Sequence, residues 1–254
     1  METKKVGKRG RLIFVTGTDT GVGKTVITAG LLAVFSQMGY RTLAIKPFQT
    51  GIAFSPRDLI SPDAMFYRET GVLNEPQVIL NPIALEPPAA PWVASILSKI
   101  PIDISKVYKT VKEMLPTYDL IILEGAGGLC VPIERHFLMA DLARELGCPV
   151  LIVARAALGT INHTLLTVSY ARAQGLPILG VVVNGLRKEA DPVEKLNPWV
   201  IQELSSVPLL GVVPFSPSIN VEERKIGNLV GLVKQVLDFN VLEEAIFGKS
   251  GGLG

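Results

Sequence analysis

A chain of 254 residues that is 48% hydrophobic and 19% charged can fill one large core, and it carries too little charge to remain unfolded. Its 25 Lys and Arg against 23 Asp and Glu leave a formal charge of +2, no global field for holding a nucleic acid.

Residues 1–10, with Lys4, Lys5, Lys8 and Arg9, are expected to form a flexible basic tail. The apolar run that follows, Leu12–Val15, is too short for a signal peptide, and no run reaches the roughly 18 residues of a membrane span. Arg11–Thr16 (RLIFVT) reads as the first strand, and Gly17-Thr-Asp-Thr-Gly-Val-Gly-Lys-Thr25 follows it. The helix expected over Lys24–Met38 ends before Gly39.

Further strands are expected at Thr42–Lys46, Leu120–Glu124, Val150–Ala154, Ile178–Val183 and Leu209–Val213. Most are apolar at consecutive positions, which suits a parallel sheet buried on both faces. Helices are expected at Ile104–Leu115 and Ile161–Gln174, ending at Pro116 and Gly175. The proline-rich stretch Ser55–Pro101 reads as a helix near Asp63–Thr70 followed by extended loops, and Leu229–Leu242 has the apolar spacing of core packing. The expected fold is a P-loop-type, doubly wound α/β domain over residues 11–247, with helices on both faces of a mostly parallel sheet and a flexible glycine-rich tail at 248–254.

The segment Gly17–Thr25 sits where a phosphate loop must: after a strand and before a helix, whose free N–H groups attract anions. Lys24 would reach the β- and γ-phosphates and Thr25 would complete a Mg²⁺ shell. The loop is a variant, with Gly17 five residues before Gly23 instead of four. Lys46 closes the second strand, where the carboxyl ends of parallel neighbours share a crevice, so it and Lys24 can face one phosphate. Glu124 ends a hydrophobic strand and could meet the metal. Asp63 is a candidate second carboxylate, with helix N-cap an equal alternative. Asp119, at the other end of the strand from Glu124, reads as structural. Cys130 and Cys148 suggest neither a disulfide framework nor a metal site, which fits a cytoplasmic protein with reduced thiols.

Together these motifs resemble the dethiobiotin synthetase family over Leu12 to Phe215. The carriers are Gly17–Thr25, Lys46-Pro47 with Thr50-Gly51, Glu124-Gly-Ala-Gly-Gly128, Leu158–Thr167, Val183-Asn184 and Pro208–Pro214. The resemblance implies an ATP- and Mg²⁺-dependent ring-closing ligase of biotin biosynthesis. Its substrate, 7,8-diaminononanoate, takes up CO₂ as a carbamate that ATP phosphorylates. It implies catalytic roles for Lys24, Lys46 and Thr50, and metal ligation by Thr25, Asp63 and Glu124. Nucleotide contacts are implied at Gly21, Val22, Gly23, Lys24, Thr25, Val26, Asp63, Glu124, Gly125, Ala126, Gly127, Asn184, Pro214 and Phe215. Substrate contacts are implied at Thr50, Gly127 and Gly128, and at Leu158, Gly159 and Asn162 across a homodimer interface. Asn184 and Asn162 each keep a structural alternative, as a buried strand-closing amide and as a helix N-cap. Two other readings compete: a cobyrinate-synthase-like ATPase, for which the chain lacks length for an amidotransferase domain, and a partitioning-type ATP-switched binding protein, for which the loop lacks an early lysine.

Overall fold

Strands that are apolar at every position must be covered on both sides. Leu120 to Leu123 and Val150 to Ala154 are such runs, and every residue in them is fully buried. The computed structural model describes residues 10–54 and 59–248; residues 1–9 of the expected basic tail (1–10) and 249–254 of the expected glycine-rich tail (248–254) lie outside the described residues.

In chain order the elements are β1 (Arg11–Gly17), α1 (Lys24–Gln37), β2 (Thr42–Ile45), β3 (Phe48–Thr50), β4 (Ala53–Phe54), β5 (Leu59–Ile60), α2 (Pro62–Arg68), α3 (Gln77–Leu80), β6 (Ile83–Leu85), α4 (Pro91–Ser98) and α5 (Ser105–Met114). The second half runs β7 (Leu120–Glu124), β8 (Pro132–Glu134), β9 (Phe137–Leu138), α6 (Met139–Glu145), β10 (Val150–Arg155), α7 (Thr160–Ala173), β11 (Ile178–Leu186), α8 (Pro192–Ser205), β12 (Leu209–Pro214), α9 (Leu229–Val236) and α10 (Phe239–Phe247).

Six strands form one sheet in the order β12-β11-β10-β1-β7-β2, all parallel. Alternate residues of β10 enter different cores, as the pleat requires. Leu151 and Val153 join the larger core with Leu31 of α1 and Val233 of α9. Ile152 and Ala154 join a smaller one with Val168 of α7 and Ile201 of α8. Helices therefore cover both faces, as expected. The connection from β1 leads to β2 on one side and that from β10 leads to β11 on the other, which opens a crevice at their carboxyl ends.

One segment departs from the sequence reading. Beyond α2, the stretch before Pro101 is not extended loop: α3, α4 and a parallel pairing of β3 with β6 organise it. Pro91 occupies the first turn of α4, where its missing N–H costs nothing, so the proline starts a helix. The apolar stretch from Leu229 packs into the core as expected, with Leu229, Val233 and Leu242 buried, and forms two helices because the Asp238 carboxylate accepts from the N–H groups of Asn240 and Val241 and caps a new one. Among the described residues no helix is long and apolar enough to cross a membrane.

Candidate active site

The loop between β1 and α1 turns through Gly23, whose φ of 93° is left-handed, and α1 begins at Lys24. A Cβ on Gly23 would fall 2.0 Å from Asn184 Nδ2. That amide, from the end of β11, donates to the carbonyl of Val22 at 3.0 Å. Asn184 thus latches the loop, leaving its carbonyl oxygen and its second amide N–H for a ligand. Lys24 is 7% exposed and curls back to donate to the carbonyl of Asp19 at 3.3 Å. Burial pushes its pKa down; Glu124 and Asp63 oppose that and Lys46 adds to it. A desolvated ammonium folded over a glycine loop is built for an anion.

Beside it the carboxyl ends of two strands and the starts of α1 and α2 bring four sequence-distant groups together. Thr25 Oγ1 lies 2.8 Å from Asp63 Oδ1 and 2.9 Å from Glu124 Oε1. The hydroxyl has one proton to give, so this trio of oxygens is short of donors. Lys46, its side chain 13% exposed, pairs closely with Asp63 and stands 3.3 Å from Glu124 Oε1. Burial works against the Lys46 charge, but Glu124 and Asp63 outweigh it and hold its pKa above the ordinary value. For Asp63 burial works upward, and the Lys46 charge with the Thr25 hydroxyl brings the net shift below the ordinary value.

Asp63 is free for this work because it does not cap its helix. Ser61 does, accepting from Ala64 N at 3.4 Å while its own hydroxyl donates to Gln49. Tyr67, one turn further along α2, donates its buried hydroxyl to Glu124 Oε2. Two carboxylates and a hydroxyl are hard oxygen donors, too few to cage a metal alone but suited to Mg²⁺ that also takes phosphate oxygens. Asp119 is structural, accepting from Arg41 N at 2.8 Å and from its guanidinium at 3.2 Å.

Two cavities open along the loop, and both are lined by Gly21 and Val26. One, of about 690 Å³, holds Lys24, Thr25, Lys46, Thr50, Asp63 and Glu124, with Ala126 and Gly127 on its floor and Pro88, Ala89 and Val131 as an apolar wall. The other, of about 770 Å³, is lined by Val22, Asn184, Pro214 and Phe215, with the Arg187 guanidinium 5.6 Å from the Phe215 ring centroid.

Not every expected residue reaches a cavity. Gly125 spends its N–H on the carbonyl of Val15 at 2.9 Å, and a Cβ there would strike Phe14 at 2.7 Å. Packing under β1, not ligand approach, requires that glycine. Gly128 lies against the loop, where a Cβ would meet the Gly17 carbonyl at 2.9 Å. Leu158, Gly159 and Asn162 line neither cavity of their own subunit, and Leu158 is 86% exposed. Asn162 is not an N-cap, since Gly159 holds that place on α7. Tyr67, Gln49, Arg187 and the Asp19–Arg155 ion pair were not legible beforehand, because each partner lies far away in the chain or in a loop of no fixed pattern.

A parallel sheet, a glycine loop carrying a buried lysine and an acid pair beside the helix start define a P-loop ATPase. A family model described as an AAA domain matches residues 11–223. Solved structures share the fold: the septum site-determining protein MinD of Pyrococcus horikoshii OT3, complexed with Mg-ADP, aligns at TM-score 0.59 and 20% identity over 96% of this chain and 98% of that one. A ParA family ATPase from Chlorobium tepidum TLS aligns at 0.55 and 16% over 89% and 97%. At those identities the likeness is one of fold alone. Sequence relatives are more specific. The ATP-dependent dethiobiotin synthetase BioD of Bacillus subtilis (strain 168) is 37% identical over 91% of this chain and 97% of its own length. The BioD of Thermodesulfovibrio yellowstonii is 36% identical over 83% and 91%. The chain belongs to the ATP-dependent dethiobiotin synthetase family.

Proposed function

We propose that the chain catalyses the ATP-dependent formation of dethiobiotin, the product for which its relatives are named, in the cleft bounded by Lys24, Lys46 and Glu124. The observation that carries this reading is the convergence of Thr25 Oγ1 on Asp63 Oδ1 at 2.8 Å and Glu124 Oε1 at 2.9 Å beside a buried loop lysine. Thr25, Asp63 and Glu124 would hold Mg²⁺, which when bound supplies charge neutralisation between the β- and γ-phosphates.

The substrate is 7,8-diaminononanoate carrying CO₂ as a carbamate on one nitrogen. A carbamate oxygen attacks the γ-phosphorus and the bond to the β-phosphate oxygen breaks, releasing ADP and leaving a carbamic–phosphoric anhydride. The second amine then attacks the carbamoyl carbon, phosphate departs, and the nitrogen gives up a proton as the cyclic urea closes. Lys24 holds the β- and γ-oxygens. Lys46, kept charged by its acidic neighbours, moves to the transferring phosphoryl group and the carbamate. Thr50 donates to the carbamate, while Gly127 and the wall of Pro88, Ala89 and Val131 hold the chain of the diamine out of water. No protein nucleophile is needed; positioning and charge carry the chemistry.

In the second cavity the Asn184 carbonyl suits the amino group of an adenine, with Pro214 and Phe215 beside it. The exposure of Leu158, Gly159 and Asn162 on their own subunit supports a homodimer in which they complete the partner's substrate site, with N–H groups of α7 meeting the substrate carboxylate. Free thiols at Cys130 and Cys148 support a cytoplasmic setting.

The test is phosphate release from Mg·ATP with bicarbonate, with and without the diamine, against Lys46→Ala. Release that requires the diamine, yields a cyclic urea and collapses in the variant supports the reading; release indifferent to the diamine would sink it.

A further inference from the structure

Tyr67 follows Asp63 by four residues on α2, so both side chains leave the same face of that helix. Asp63 turns to Thr25 and Lys46 at the edge of the cleft. Tyr67 is fully buried and passes beneath to donate its hydroxyl to Glu124 Oε2. The two oxygens of Glu124, itself 1% exposed, therefore have different partners. Oε1 faces Thr25 Oγ1 at 2.9 Å and Lys46 Nζ at 3.3 Å, on the cleft side, while Oε2 is tied down inside the core.

We propose that Tyr67 is a positioning residue that confines Glu124 to single-oxygen coordination and thereby sets the cleft's preference for a small divalent cation. The inference rests on the metal reading above and adds to it a residue that touches neither metal nor substrate. A carboxylate turns readily about its last bond, and its two oxygens are equivalent until a neighbour distinguishes them. A buried phenol donating to one of them does so at no entropic cost at the moment of binding. It also takes charge from that oxygen and keeps it from swinging into the cleft. Mg²⁺ demands near-octahedral single oxygens at about 2.0–2.1 Å, whereas Ca²⁺ at about 2.3–2.6 Å accepts both oxygens of one carboxylate. Removing the phenolic hydroxyl leaves Oε2 buried without its donor and frees Glu124 to turn.

The variant is Tyr67→Phe, which keeps the ring. Mn²⁺ is titrated into the protein with bound ADP, the free ion is counted by electron paramagnetic resonance, and bound Mn²⁺ is then displaced with Mg²⁺ or Ca²⁺. We expect Mn²⁺ and Mg²⁺ to bind about 10-fold more weakly or worse, with Ca²⁺ changed by less than about threefold. A second reading uses the unsubstituted chain labelled with 3-fluorotyrosine. The label is incorporated at position 67 alone among the five tyrosines, and its single ¹⁹F resonance should move when Mg²⁺ saturates the ADP complex. Because it needs no variant, this reading decides the matter even where Tyr67→Phe folds poorly. A Tyr67 resonance that stays put, unchanged metal affinities in the variant, or equal losses for Mg²⁺ and Ca²⁺ would each overturn the assignment. A wild-type ADP complex that binds no divalent ion would instead overturn the metal reading itself, and this inference with it.

Discussion

Thr25 Oγ1 stands 2.8 Å from Asp63 Oδ1, joining the first turn of α1 to the first turn of α2. The contact links the phosphate loop to the segment that carries both Asp63 and Tyr67. It makes the loop threonine a structural clasp before any ligand arrives. Thr25→Val keeps the shape and removes the neutral donor that faces both carboxylates. A hydrogen bond to a charged group contributes about 1.5–3 kcal/mol, so Mg²⁺ activation of ATP turnover should need about 10- to 100-fold more metal. Titrating Mg²⁺ at fixed ATP checks this; an unchanged half-saturation point would remove Thr25 from the metal site.

Lys46 sits between two carboxylates with its side chain 13% exposed. Lys46→Ala leaves buried acids facing each other, at a cost of about 3 kcal/mol, or roughly 6–12 °C of melting temperature for a chain of this size. Mg²⁺ should restore more stability to the variant than to the wild type. The pH window follows from the shifts. The raised pKa of Lys46 means its contribution is complete below the ordinary 10.5 and fades as pH rises through the folded value. The lowered pKa of Asp63 means its share is complete above the ordinary 3.8 and fades as pH falls through the folded value. The stability gap between wild type and variant should therefore be widest at neutral pH and narrow at both ends. Melting curves in EDTA across pH measure it; a gap independent of pH would show that the pair is not its source.

Lys24 presents the opposite sign. Its pKa is lowered, chiefly by burial, so the charged form costs stability at every pH below its folded value, and that cost shrinks as pH rises through it. Lys24→Met should raise the melting temperature of the nucleotide-free protein at neutral pH. The same change should lower phosphoryl transfer by at least about 100-fold, since a cation aimed at developing charge is lost. Calorimetry alongside single-turnover kinetics tests both halves, and a destabilised variant would contradict the cost of burying the Lys24 charge.

Asn162 lines neither cavity of its own subunit, so its substitution should leave folding and ATP binding alone. Stability of Asn162→Ala should stay within about 0.5 kcal/mol of wild type, while KM for the diamine rises about 10-fold or more from loss of a charged hydrogen bond. Mixing it with Lys46→Ala is more telling. If each site takes Lys46 from one subunit and Asn162 from the other, random pairing should restore about a quarter of wild-type turnover at diamine well below KM. No recovery after subunit exchange would place both residues in one subunit's site.

Local pattern in the chain sufficed for the parts whose physics is local. Consecutive apolar residues marked β7 and β10 as doubly covered strands, and a strand, glycines and Lys24-Thr25 marked the anion site. Pattern failed where one residue type has two local meanings. The proline-rich stretch before Pro101 reads as extended loop beyond its first helix, yet its Pro91 starts α4. No element is expected over α8, which forms because Asp191 caps it and Ile201 is buried.

What the sequence by itself determined was the inventory: a P-loop, two lysines, two acids, and the strands that carry them. Hydrogen-bond geometry and side-chain periodicity act over a few residues, so these features are written within short windows. Only the tertiary structure decided which of them meet. The sheet order puts β1 between β10 and β7, bringing Glu124 to Thr25 from 99 residues away. It also brings Tyr67 beneath Glu124, spends the N–H of Gly125 on β1 and leaves Asn162 outside its own cavities. Those outcomes depend on how whole faces pack against one another, a choice made by the summed burial of the core and carried by no single stretch of chain.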